Sequence, residues 1–152
     1  MADLTDGDRD VLSASRTAVL ATIAPDGRPR LVPVCFVAID DVIWTPIDEK
    51  PKAVDDPRAL ARVRDIARDP RVTLLVDRWS EDWTELVWVR LEGQAEVVQT
   101  ADQRIIARLR AKYRQYAEHD LESSPMIRIT IERVVGWDAS ATQANASRRP
   151  VE

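Results

Sequence analysis

The chain has 152 residues, 45% hydrophobic and 32% charged, with a net charge of −4, one cysteine (Cys35) and one histidine (His119). This is the composition of a single globular domain, not of a disordered chain. The negative balance excludes a general attraction to nucleic acid or to an anionic membrane, and the lone cysteine and histidine exclude a disulfide framework or a Cys/His metal cluster within one chain.

Met1 to Asp10 is acidic and lacks the basic and apolar pattern of a secretion signal, and no apolar run approaches the ~18 residues of a membrane span. A cytoplasmic protein without nucleic-acid or membrane partners is the expectation. Thr5 to Ser15 opens on capping-type residues and predicts a leading helix. Thr17 to Ala24 is an apolar strand ending in the turn Pro25-Asp26-Gly27-Arg28. Pro29 to Ile39 reads as one continuous second strand, and Asp40-Asp41 turns it into a third, Val42 to Thr45.

Asp56-Pro57 has the pattern of a helix start, with the helix running to about Arg68 before Asp69-Pro70 stops it. Arg71 to Trp79 and Leu86 to Val98 are the next strands, with Ser80-Glu81-Asp82 as the turn between them. Thr100-Ala101-Asp102-Gln103 has capping-box spacing for a helix reaching about Glu118, with Ile105, Ile106, Leu109 and Tyr113 on its core side. From Met126 to Val135, Ile127, Ile129 and Ile131 alternate with polar residues as in a half-buried strand. The expected organisation is an N-terminal helix over 1–16, a barrel domain over 17–137 and a polar tail over 138–152. The fold class is mainly β with flanking helices: a six-stranded antiparallel barrel.

Four features bear on chemistry. Lys50 and Lys52, followed by Arg58, Arg62 and Arg64, are either a local phosphate pocket or the solvated face of a charged loop and helix. The tryptophans Trp44, Trp79, Trp83, Trp88 and Trp137 either stack on a planar ring or fill the core or a dimer interface. Cys35 lies in an apolar strand with no basic residue nearby in sequence, which favours packing over nucleophilic catalysis. His119, beside Glu118 and Asp120 at a helix end, reads as a capping or surface residue. The four glycines are too scattered for a phosphate-binding loop.

The order of these elements, with Ala21-Thr22-Ile23, Asp26-Gly27-Arg28-Pro29, Val32-Pro33-Val34-Cys35-Phe36, Trp44-Thr45-Pro46, Lys50-Pro51-Lys52, Arg64-Asp65-Ile66-Ala67, Pro70-Arg71-Val72 and Trp88-Val89-Arg90, resembles the pyridoxamine-phosphate-oxidase-like FMN-binding split barrels, in particular their deazaflavin-dependent branch. The resemblance covers roughly residues 15–137. It implies an oxidoreductase that transfers a hydride between reduced coenzyme F420 and a small organic acceptor, with no side-chain catalyst and no metal.

It further implies a flavin-type ring against Pro33, Val34 and Cys35, with Thr45 and Pro46 beside it. Lys50, Lys52 and Arg58 would hold the phosphate, and Trp83 and Trp88 would reach in across the interface of a homodimer. The oxidases of this type carry Arg-x-Val-Leu-Leu-Lys where this chain has Arg30-Leu31-Val32-Pro33-Val34-Cys35. The missing lysine and the proline resemble the deazaflavin branch and place F420 ahead of FMN. An FMN-dependent oxidase or reductase, and a non-catalytic flavin, F420 or tetrapyrrole-binding protein, are the alternatives.

Overall fold

The structure is a computed structural model that describes residues 3–47, 60–99 and 102–141. The chain opens with helix α1 (Asp6–Ala14), started by a capping box in which the Thr5 hydroxyl accepts from the Asp8 N–H and the Asp8 carboxylate accepts from the Thr5 N–H. Strands β1 (Ala18–Ile23) and β2 (Pro29–Val34) form a hairpin, with Gly27 at φ 87° supplying the left-handed turn residue. Strands β3 (Val37–Ile39) and β4 (Val42–Pro46) form a second hairpin. Its two-residue turn has Asp40 at φ 51° and Asp41 at φ 60°, the pair of left-handed positions that matches strand twist.

Helix α2 (Ala61–Arg68) leads into β5 (Arg71–Arg78), a single 3-10 turn (Trp83–Glu85) and β6 (Val87–Val98). The expected start of α2 at Asp56-Pro57 lies outside the described residues. Helix α3 (Gln103–Lys112) is capped by Asp102, whose carboxylate accepts from the Ile105 N–H at 3.0 Å, so the cap is two residues later than Thr100. α3 ends at Lys112 rather than continuing to Glu118; a 3-10 turn (Arg114–Ala117) and β7 (Met126–Asp138) follow.

The strands form one antiparallel sheet of seven in the order β2-β1-β5-β6-β7-β4-β3, curled into a half-barrel. The six-strand expectation is corrected here: the run Pro29 to Ile39 is two strands, and they lie at opposite edges of the sheet. The break is at Cys35 and Phe36. The Phe36 N–H donates to the Tyr113 hydroxyl at 3.0 Å and its carbonyl accepts from the same hydroxyl at 3.2 Å. A side chain satisfies the main chain there, so no ladder partner is needed and the chain is free to cross from one edge to the other.

Inside the curl, Leu20, Ile43, Leu74, Val89, Leu91, Ile127, Ile129 and Ile131 meet Leu12 of α1 and Ile66 of α2 in the main core. Strands β6 and β7 pair along their whole length with one register shift at Glu92/Gly93, where Glu132 is left without a partner. At this bulge the backbones approach so closely that a Cβ on Gly93 would stand 2.0 Å from the Thr130 carbonyl oxygen. No helix among the described residues is long and apolar enough to cross a membrane.

Candidate functional site

Residues opposite one another across a ladder point to the same side, so the pairing registers sort the outside of the half-barrel into two surfaces. On the first, Val37, Trp44 and Arg128 lie in one row, and Pro46, Met126 and Val98 in another. α3 covers this surface: Ile105, Ile106, Leu109 and Tyr113 pack with Val37, Ile39 and Met126 into a second core, against which Cys35 and Trp44 also rest.

On the second surface, Pro33 pairs with Val19, Val19 with Leu75, Leu75 with Arg90 and Arg90 with Val135; beside them Leu31 pairs with Ala21, and Asp77 with Trp88 and through it Trp137. No described helix covers this row. Leu31 is 64% exposed and Leu75 39%, and a shallow hollow of about 450 Å³ runs between Val19, Leu31, Leu75, Trp88 and Arg90. The Arg90 guanidinium lies 5.8 Å from the Trp88 ring centre, and its Nε is buried without a hydrogen-bond partner among the described residues. A flat apolar floor, an indole and a cation with an unused donor are the groups a planar, partly polar ring requires.

The residues singled out in the sequence fall in several places. Pro33 and Trp88 lie on the bare surface. Val34 is buried in the main core, Thr45 is 1% exposed and Pro46 is buried. Cys35 is half-buried at the β2–β3 link, against the second core. Trp83, 71% exposed, stands on the 3-10 turn before β6. Lys50, Lys52 and Arg58 lie outside the described residues. None of the five tryptophans is fully buried: Trp44 packs against the second core, and Trp79 is 65% exposed like Trp83.

The sequence reading did not single out Leu31 or Leu75; β2 is apolar at both parities, the pattern of a strand with two faces to bury, whereas Leu75 stands among Arg71, Thr73 and Asp77 on its face of β5. Nor did it connect Cys35 to a basic group: Lys112 and the Tyr113 hydroxyl reach it from α3. Burial pushes Tyr113 up to about 12, against the Phe36 backbone hydrogen bond that favours its ionised form. His119 rests its ring on Tyr116 and its carbonyl accepts from Arg110 Nη2 at 2.9 Å; because α3 ends at Lys112, it lies past the 3-10 turn and not at the helix end expected from the sequence.

A buried anchor holds the strands that carry the bare surface. Asp65 of α2, 1% exposed, accepts from the Thr22 hydroxyl on β1 at 2.8 Å and from Arg30 Nε on β2 at 2.7 Å. Arg68 adds a hydrogen bond to the Ile23 carbonyl and an ion pair with Asp65 at 3.4 Å. Burial opposes ionisation of Asp65, but the Arg30 and Thr22 hydrogen bonds and the Arg30 charge outweigh it and hold the carboxyl below its usual range.

Solved structures share this architecture. A conserved hypothetical protein of Mycobacterium tuberculosis is 23% identical, with 97% of this chain and 92% of that chain covered at a TM-score of 0.70. A protein described as an F420 reductase is 17% identical, with 86% and 98% covered at 0.63. HutZ, a heme storage protein of Vibrio cholerae, is 14% identical, with 88% and 94% covered at 0.63. At these identities the likeness establishes the fold alone. Residues 4–138, which span the half-barrel and the three α-helices of the described residues, match the pyridoxamine 5'-phosphate oxidase family, and the chain belongs to that family.

Proposed function

We propose that the protein is an oxidoreductase that binds coenzyme F420 on the bare surface of its sheet, at the interface of a homodimer, and passes a hydride between the reduced coenzyme and a small organic acceptor. The observation that carries this reading is the apolar row Leu31, Val19, Leu75 and Trp88, left open on a sheet whose other outer surface packs against α3 in a second core. When bound, the deazaflavin supplies the hydride. The chain's own residues supply the binding surface. Val19, Leu31 and Leu75 make a dry floor, Trp88 borders it, and Arg90, whose side chain lines the hollow, brings a guanidinium to a ring carbonyl. A second copy laid on this surface excludes water and brings exposed Trp83 within reach of the partner's site.

In this reading Lys50, Lys52 and Arg58 hold the phosphate. Cys35 and Pro33, which stand where the FMN-dependent oxidases carry a different strand motif, support F420 over FMN. The similarity to a protein described as an F420 reductase agrees with that choice.

Titrating the purified protein separately with F420 and FMN, by tryptophan quenching and coenzyme emission, tests the reading. Saturable F420 binding is expected, weakened about tenfold or more by Lys52→Ala through loss of a charge-assisted hydrogen bond. Selective FMN binding moves the assignment to a flavin-dependent oxidase; binding of neither coenzyme overturns both.

A further inference from the structure

A cavity of about 850 Å³ opens between α1, β3 and α3 and shares no lining residue with the bare sheet surface. Five of its side chains are cationic and three are carboxylates. Two of the ion pairs are closed at the β3–β4 turn: Arg9 Nη2 holds Asp41 at 2.9 Å, and Arg104 Nη1 holds Asp40 at 2.9 Å. Arg16, Arg108 and Lys112 are not closed into these ion pairs; they face the exposed Asp10 and, for Arg108, the Asp40 that Arg104 already holds, which leaves a local positive excess in a chain of net charge −4.

Two of these cations share one aromatic ring and feel each other's charge. The Arg16 guanidinium carbon lies 4.8 Å from the Tyr113 ring centre and Lys112 Nζ lies 5.4 Å from it, with Nζ also 3.8 Å from the Phe36 ring centre. Nζ donates to the Leu12 carbonyl at 3.0 Å, which fixes its position without neutralising it. Burial and the Arg16 charge together pull Lys112 down to about 8. The other titratable groups around it are Cys35 on the β2–β3 link, Tyr113 just past the end of α3, Arg108 one turn earlier on the same helix, and Asp10 of α1 across the groove. Adjacent cations with no carboxylate between them repel each other, and an anion seated there relieves both.

We propose that this groove binds a small polyanion, a metabolite bearing phosphate or several carboxylates, through Arg16, Arg108 and Lys112. The two guanidiniums suit bidentate contact with such groups, and the ammonium acts as a point charge. The cavity has the size of a small-molecule site rather than of a groove that tracks a polymer.

Isothermal calorimetry at fixed ionic strength, with inorganic pyrophosphate in one arm and citrate in the other, tests the proposal and separates phosphate from carboxylate ligands. Saturable binding of at least one probe is expected. Arg16→Gln and Arg108→Gln, at exposed positions, should each weaken it about tenfold or more, while Arg114→Gln outside the groove leaves it unchanged. Binding near pH 8 should also take up protons, because an anion raises the pKa of Lys112. The observed heat should then vary with the ionisation enthalpy of the buffer, and Lys112→Met should remove that dependence. Binding of neither probe, or binding that Arg16→Gln and Arg108→Gln leave at full strength, overturns the proposal.

Discussion

Where β3, β4 and the first half of β7 meet α3, the outside of the half-barrel is a second core, with Leu109 and Met126 wholly buried; where β2, β1, β5 and the first half of β6 run into the second half of β7, a row with apolar side chains is left open, with Leu31 64% exposed. The strand chemistry is similar on both sides, and what differs is the source of the cover. One surface is closed by a helix of the same chain, so its side chains serve stability. The other is rich in exposed apolar area that a monomer gains nothing by displaying, which marks it as a surface for binding.

The comparison can be broken or sharpened by substitution. The largest effect is expected where β6 and β7 cross from one surface to the other. Gly93→Ala drives a Cβ into the Thr130 carbonyl, an atom that cannot rotate away. It should destabilise the fold by about 3 kcal/mol or more in urea titration. An unchanged urea midpoint would show that the bulge is pliable.

Next come matched truncations, one on each surface. Leu109→Ala, under α3, should cost about 2 to 5 kcal/mol. Leu31→Ser should change monomer stability by no more than about 0.5 kcal/mol while weakening self-association and coenzyme binding. Equal stability losses at the two positions would erase the distinction between the surfaces.

The smallest effect is confined to acid. Asp65 titrates below its usual range when folded, so its contribution to stability is complete above the unfolded carboxyl value of about 3.9 and is lost as pH falls through the lower folded value. Urea midpoints measured from pH 5 downwards should therefore fall more steeply for the wild type than for Asp65→Asn. Parallel curves would mean that Arg30 and Thr22 do not discriminate the charged form.

Much of the architecture is legible in the sequence because it is local. Alternation over Ile127, Ile129 and Ile131, the spacing of Ile105, Ile106 and Leu109, and the turns at Gly27 and Asp40-Asp41 are each set by a few neighbouring residues. What escapes is non-local. The Pro29 to Ile39 run is uniformly compatible with a strand, and the group that interrupts it, the Tyr113 hydroxyl, lies 77 positions away. The anchor Asp65 reaches partners 35 and 43 positions distant, so a buried charge in α2 looks like any other polar helix residue. As for the site, apolar residues at both parities of β1 and β2 announce two surfaces to cover, but sequence does not say whether a helix of the chain or another molecule covers the second.

β2 also stands at one edge of the sheet, and it carries Pro29 and Pro33. Each proline lacks an N–H, so the strand cannot present the unbroken row of donors that would let another chain add itself as an eighth strand. Face-to-face contact is thereby permitted and edge-to-edge growth is refused. A sheet whose own described helices leave an apolar surface uncovered is thus protected from the fibrous, strand-by-strand aggregation that such a surface would otherwise encourage.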